Sequence, residues 1–149
     1  MHPYDANLYY EDIVARQGRV FLWIRKELSG VDEKWFIENY MRSDMRRLLD
    51  SANPKYAAMS SPELIYWFIH YEQGGRFKEY KRGASWGGFL PQWAGHMYAH
   101  YQWQFNVTSE RLIEILPLSE MERIFPALHQ TGWNVAAQKI HDEVLCSKH

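Results

Sequence analysis

Two histidines, His96 and His100, stand four residues apart in a segment with helical periodicity. At this spacing both imidazoles project from one helix face, at a separation that a metal ion could bridge. The metalloprotease pattern also needs a glutamate directly after the first histidine, and that position holds Met97. A third ligand would have to come from His70, His129, His141 or a carboxylate, and the acceptors that would orient the ligands are not identifiable. We therefore expect the pair to make hydrogen bonds in a half-buried aromatic layer. Metal-dependent hydrolysis around His96 and His100 stays an alternative, and no cofactor is expected.

A second candidate for chemistry is Arg123, which is followed after five residues by His129. This spacing resembles the R-x(4-6)-H motif of HEPN ribonucleases, which are small all-α proteins. The resemblance implies that Arg123 would hold a phosphate and that His129 would act as acid or base. The chain departs from that motif at Ile124, where a polar residue is usual, and at Pro126, which should interrupt the helix that presents both side chains. The alternative is a surface arginine and a histidine near a helix C-terminus.

A third candidate is the segment Gly83 to Gly87, which matches the G-x-S-x-G pattern of a nucleophilic serine. That pattern works only where a buried strand delivers the serine to a sharp turn before a helix. The preceding residues, 77–82, are mostly charged or aromatic and do not read as a buried strand. We therefore do not expect Ser85 to be a nucleophile.

The fourth candidate is the segment Trp86 to Phe105, which holds seven aromatic residues in twenty positions. Its apolar residues form one broad helical stripe, so it is either the central packing helix or the wall of a binding groove. Tryptophan and tyrosine offer large rigid surfaces with a polar group, which makes them frequent anchors at protein interfaces. Core packing would account for most of these rings, but seven tryptophans exceed what one small core needs. The predicted binding residues are Trp93, His96, Tyr98, His100, Tyr101 and Trp103.

Composition narrows the choice of partner. The 149 residues carry a net charge of −1, with acidic and basic residues interspersed, so the sequence predicts neither nucleic acid nor an anionic membrane as a partner. Arginines 42, 46 and 47 form a small basic cluster that we interpret as a solvated face, since acidic residues lie among them. The single cysteine, Cys146, excludes an internal disulfide framework, and no signal peptide or membrane span is recognisable. We expect a cytoplasmic protein.

The periodicity is helical along nearly the whole chain, and no sustained strand alternation occurs. Breaks are expected at Gly18, Gly30 and the Asn53-Pro54 pair, while Asp32 and Ser61 are expected N-caps. The apolar helix from Pro62 to Gln73 is expected near the centre, and the loop 74–88 is the longest irregular piece. The sequence thus predicts one domain over residues 1–149, an all-α irregular bundle of seven or eight short helices.

Scattered residues over about two-thirds of the chain resemble small bacterial proteins that are encoded beside candidate toxins. They are Phe36, Tyr40, Met41, Ser43, the run Met59 to Leu64, Trp93 to Gly95, Met97, Tyr98 and Tyr101 to Trp103. This resemblance implies an accessory or neutralising partner of another protein, and it assigns no catalytic residues. The sequence therefore favours a protein-binding, antitoxin-like module without enzymatic activity, in which a homo-oligomer is also conceivable. The HEPN-like ribonuclease is the first alternative.

Overall fold

The computed structural model describes residues 14–23, 32–50, 59–72, 83 and 90–145. Within these ranges the regular structure is helical and no strand is found, which confirms the all-α prediction. The helices are α1 (14–23), α2 (Glu33–Met41), α3 (Asp44–Asp50), α4 (Ser61–Trp67), α5 (Leu90–Phe105), α6 (Ser109–Ile115), α7 (Leu118–Leu128) and α8 (Trp133–Lys139). Wider π-helical turns extend α4 over Phe68–Glu72 and α8 over Ile140–Leu145.

The helix starts follow the capping residues. The Asp32 carboxylate accepts a hydrogen bond from the Trp35 amide at 3.0 Å and caps α2, as predicted. In α4 the cap is Ser60 rather than the predicted Ser61. Ser60 is the cap because its amide donates a hydrogen bond to the Glu63 carboxylate, while its side chain accepts from the Glu63 amide. These two bonds form a capping box, which a cap one residue later would lack.

The predicted break at Gly18 is wrong, since α1 runs through this residue. Gly18 is needed inside the helix because α1 crosses α5 there with the two backbones in contact. A Cβ on Gly18 would lie 3.0 Å from the Gln92 carbonyl oxygen, and a Cβ on Gly95 would lie 2.6 Å from the carbonyl oxygen of Gln17. The two glycines therefore let the helices approach more closely than any side chain would allow.

The central helix is α5, which agrees with one of the two interpretations of the segment Trp86 to Phe105. The segment from Pro62 to Gln73, which was expected near the centre, is buried on one side only. That segment keeps Tyr66 53% exposed and His70 exposed, so one of its sides faces solvent. In contrast, α5 packs against α6, α7 and α8, and it crosses α1. Its buried residues are Leu90, Pro91, Trp93, Ala94, Gly95, Met97, Tyr98, Ala99, His100, Tyr101 and Gln102.

Aromatic rings fill the core between α1, α2 and the end of α4. Tyr40 meets Phe21 edge to face at 6.0 Å between ring centroids, and Phe68 at 5.5 Å. Phe36 packs on the same Phe68 ring at 5.2 Å. These edge-to-face contacts are the arrangement that the ring quadrupoles favour, so they hold the three helices at a defined angle. None of the described helices is both long and apolar enough to cross a membrane.

Candidate functional site

His96 lies half-buried on α5 and stacks on Trp133 at the start of α8. The ring centroids are 3.8 Å apart and the planes differ by 4°. Burial, with a smaller contribution from the nearby His100, lowers the pKa of His96 to about 4. The imidazole is therefore neutral at pH 7, and it lies on the indole as an aromatic ring rather than as a cation.

His100, one turn further along α5, is buried. Its Nε2 lies 2.9 Å from the Gln104 side-chain oxygen, and its ring is 5.6 Å from the Trp103 ring. Burial lowers the pKa of His100, while hydrogen bonds with Gln104 and with Asn134 of α8 act in the opposite direction. Both histidines thus join α5 to α8, His100 through a hydrogen bond with Asn134 and His96 through its stack on Trp133.

Among the residues that the structure describes, no third metal ligand lies beside this pair. Across the described residues, no three His, Cys, Asp or Glu side chains come close enough to hold one ion. The other described histidines each lie on an aromatic ring of their own: His70 on Tyr66, His129 on Phe125 and His141 on Phe105. His96 and His100 therefore form a two-nitrogen arrangement, which is fewer ligands than a protein zinc site uses.

The six predicted binding residues separate into two groups. Trp93, Tyr98, His100 and Tyr101 are buried within the chain, where they pack against its other helices. His96 and Trp103 are half-buried on one side of α5, and Trp133 of α8, stacked on His96, is half-buried as well. We call these three rings, His96, Trp103 and Trp133, the aromatic edge.

Trp133 is not among the binding residues that the sequence predicts. It is the first residue of α8, and Gly132 is the N-cap of that helix. A large aromatic side chain directly after a glycine that can cap a helix was the available signal.

The Arg123 and His129 pair is not assembled into a site. Arg123 is exposed and its Nη2 lies 2.7 Å from Glu120, while His129 is exposed with its Nδ1 2.9 Å from the Phe125 carbonyl oxygen. Six residues correspond to about 600° of rotation, which places the two positions about 120° apart around α7. The expected interruption at Pro126 is wrong, because α7 continues through it to Leu128.

A buried polar cluster joins α3 to α5. Arg46 of α3 is 1% exposed, and its guanidinium donates to Asp50 at 2.5 Å, to Gln17 at 2.7 Å and to Gln102 at 2.5 Å. The second Asp50 oxygen accepts the Ser109 amide at 2.9 Å, at the start of α6. The expectation that Arg46 lies on a solvated face is therefore wrong, because these partners replace water around its charge.

This cluster is structural rather than catalytic. Its polar atoms bond to one another or to backbone atoms: the Gln17 amide donates to the Gly95 carbonyl and the Gln102 amide to that of Val107. A fully hydrogen-bonded buried network rigidifies the helices that it connects, here α1, α3, α5 and α6. Arg42 and Arg47, the other two arginines of the predicted basic cluster, are exposed at the surface, where each forms an ion pair, as expected.

Several predictions fall on parts that the structure does not describe, and the expected breaks at Gly30 and at Asn53-Pro54 are among them. The G-x-S-x-G segment lies outside the described residues apart from Gly83, and so does the rest of the loop 74–88. Gly83 itself packs beside the α2 cap, where an added Cβ would meet Asp32 at 2.6 Å.

The residues that carry the resemblance to toxin-associated proteins lie mostly in the core. Phe36, Tyr40, Met41, Trp93 and Tyr98, among others, are buried, so the shared pattern reflects packing rather than a solvent-facing site. Comparison of the chain with family models, curated proteins and solved structures finds no match.

Proposed function

We propose that the protein is a binding module for another protein and that the aromatic edge is part of its contact surface. The observation that carries this proposal is the stack of His96 on Trp133, which stays partly open to solvent. A stacked pair is rigid before binding, so little conformational entropy is lost when a partner covers it. Imidazole and indole rings also carry polar atoms, which can hydrogen-bond to a partner beside an apolar contact.

The chemistry around the edge favours a protein partner over nucleic acid. Helix α5 contains no Asp, Glu, Lys or Arg, and the whole chain has a net charge of −1. Stacking of bases on aromatic rings normally accompanies a basic groove that follows the phosphates. An uncharged aromatic surface instead suits apolar and hydrogen-bonding groups of another protein.

The finer assignment is that of a cytoplasmic, antitoxin-like accessory protein of bacteria, whose partner is a toxin encoded nearby. It rests on the resemblance of the core residues described above. A neutralising protein needs no reactive group of its own, and a preformed aromatic surface is sufficient for such a role.

The test is a pull-down with the full chain as bait in lysate of the source organism. Wild type is compared with Trp103→Ala and Trp133→Ala, and with Tyr66→Ala as the control for loss of an exposed aromatic ring elsewhere. Circular dichroism first establishes that each variant is folded. A stoichiometric partner that both tryptophan variants lose and the Tyr66→Ala control keeps would support the proposal. Equal recovery by all four proteins would contradict the assigned surface, and no partner at all would contradict the function.

A further inference from the structure

Three of the described histidines lie along the contact between α5 and α8. His96 stacks on Trp133, and His100 hydrogen-bonds with Asn134. His141, in the π-helical extension of α8, lies 3.0 Å from the Tyr101 hydroxyl through its Nδ1 and stacks on Phe105 at 4.2 Å. We call this row of contacts the histidine seam, and it extends along the length of α8.

Few large apolar side chains anchor the described part of α8 beside this seam. Among the described residues, Ala136, Ala137 and Ile140 are buried and Trp133 is half-buried against the core. At about 25 cal/mol for each Å² of buried apolar surface, alanines contribute much less than the leucines and phenylalanines of the main core. The contacts of the histidines are therefore a substantial part of what holds the described part of α8 on α5.

The charged groups on the packed helices do not offset positive charge at the seam. On α8, Lys139 and Glu143 are exposed, and Asp142 accepts from Gln138 on the outer side. On α7, Arg123 pairs with Glu120 and Glu122 pairs with Lys34; on α1, Arg16 donates to the Met59 carbonyl and Arg19 is exposed. On α6, Arg111 pairs with Glu114 and Glu110 is exposed, while α5 contributes no charged residue. Burial and the nearby His100 both lower the pKa of His96, so both disfavour its protonation.

We propose that α8 is an acid-releasable element, which leaves α5 when the seam histidines take up protons. Protonation places two imidazolium charges one turn apart on α5, against an indole and a buried apolar layer. Release of α8 gives these charges access to water, and it uncovers His100 and Tyr101 on α5. This inference goes beyond protein binding and does not depend on it.

The direction of the pH dependence follows from linkage. A histidine whose pKa is lower in the docked form than in the free form binds more protons after release, so acid favours release. The pKa of His96 is about 4 when α8 is docked, and an unperturbed histidine has a pKa near 6.5. The docking equilibrium at pH 5 therefore shifts about 30-fold towards the released form, relative to pH 8.

The test is hydrogen–deuterium exchange of the full chain, measured by mass spectrometry at pH 7.5, 6, 5 and 4.5 and corrected for the intrinsic pH dependence of exchange. We expect peptides from 133–145 to lose protection by about 30-fold at pH 5, while peptides from α2 and α6 keep theirs. Retained protection of α8 at pH 5, or loss of protection in all helices at the same pH, would overturn the proposal.

Two variants and one direct titration complete the test. His96→Phe keeps an aromatic ring on Trp133 but binds no proton, so it should remove most of the acid response. His70→Gln, on the exposed end of α4, should respond as wild type does. An unchanged response in His96→Phe would refute the mechanism. If that variant does not fold, NMR titration of the imidazoles in wild type decides between the outcomes. A pKa of His96 well below 6 would support the proposal, and an ordinary value near 6.5 would overturn it.

Discussion

Arg46 and Asp50 form an ion pair inside the protein, with 2.5 Å between the guanidinium nitrogen Nη1 and the carboxylate oxygen Oδ1. Their side chains are only 2% and 7% exposed. The pair lies within one turn of α3, yet its further hydrogen bonds reach Gln17 on α1, Gln102 on α5 and Ser109 on α6. It therefore sets how four helices meet, and the fold depends on both charges being present together.

Replacing the arginine alone should be costly. In Arg46→Met the side chain keeps a similar length, but Asp50 stays buried without its cation. Breaking a buried ion pair from one side typically costs about 3 to 5 kcal/mol, because the remaining charge is not compensated. We expect a loss of this size in the free energy of unfolding, measured by urea denaturation.

The matched control is Arg47→Met on the same helix. The side chain of Arg47 is 67% exposed and pairs with Asp44 at the surface. Exposed pairs contribute little, so the unfolding free energy should change by less than about 1 kcal/mol. Similar losses in the two variants would show that helix propensity or solubility, rather than the buried pair, is responsible.

The crossing of α1 and α5 should not tolerate a side chain. In Gly95→Ala the new Cβ would lie 2.6 Å from the Gln17 carbonyl oxygen, which is backbone and cannot rotate away. Overpacking of this kind costs typically about 1 to 3 kcal/mol, and the helix preference of alanine offsets less than 1 kcal/mol of it. Thermal and urea denaturation would measure the loss.

The control for that substitution is Gly132→Ala, where an added Cβ meets nothing within 4 Å. Because Gly132 caps α8, alanine there should cost less than about 1 kcal/mol. A Gly95→Ala protein as stable as wild type would mean that the two helices move apart at little cost.

The sequence predicted the helices better than it predicted the contacts between them. The capping residue Asp32 and the helical periodicity are local signals, so the starts of α2 and the all-α class could be read directly. The continuation of α1 through Gly18 could not be predicted in this way. A glycine is needed there because the backbone of α5, more than seventy residues away in sequence, lies against it. Local propensity predicts a break there, and tertiary contact overrides it.

The site was predictable only in part for the same reason. His96 and His100 were recognised from their spacing, but Trp133, which covers His96, comes from another helix. Likewise, Arg46 looked like a surface arginine because its partners Gln17 and Gln102 are 29 and 56 residues away in sequence. Which charged residue is buried depends on long-range packing, and a single sequence carries no direct record of it.

Alkaline pH should destabilise the fold through Tyr98. Burial, and to a smaller extent Glu38, raises the pKa of Tyr98 well above 10, and its hydroxyl donates to the Leu116 carbonyl at 2.7 Å. The unfolded chain loses this proton near pH 10 and the folded chain keeps it. The contribution of Tyr98 to stability is therefore fully present below pH 10. Above pH 10 it decreases by about 1.4 kcal/mol for each pH unit.

Comparison of urea denaturation at pH 8 and pH 11 in wild type and Tyr98→Phe measures this effect. The variant should lose about 1 kcal/mol at pH 8, because the Leu116 carbonyl loses its donor, and it should show a smaller further loss at pH 11. An equal alkaline loss in both proteins would assign the effect to other groups.

Metal binding by His96 and His100 should be absent or weak. The described residues supply two nitrogens and no third ligand, and the Nε2 of His100 already faces Gln104. We expect no stoichiometric zinc in the purified protein by elemental analysis, and no tight binding in calorimetric titration at pH 7.5. Stoichiometric zinc that disappears in His100→Ala would refute this and restore the hydrolase alternative.

The ribonuclease alternative makes an equally sharp prediction about α7. General acid–base catalysis needs the phosphate-binding cation and the histidine on one side of the substrate, within hydrogen-bond reach of it. Arg123 and His129 lie about 120° apart around the helix, and Arg123 is bound to Glu120. We therefore expect no cleavage of single-stranded RNA by wild type beyond the background of a parallel mock purification.

The variants Arg123→Ala and His129→Ala are the decisive controls, because both side chains are exposed and their loss should leave the fold intact. Contaminating ribonuclease activity would persist unchanged in both variants. Cleavage by wild type that each variant lowers a hundredfold or more would contradict the prediction, since a general acid–base residue contributes an effect of that order. That outcome would require α7 to reorganise when RNA binds, bringing the two side chains to one face.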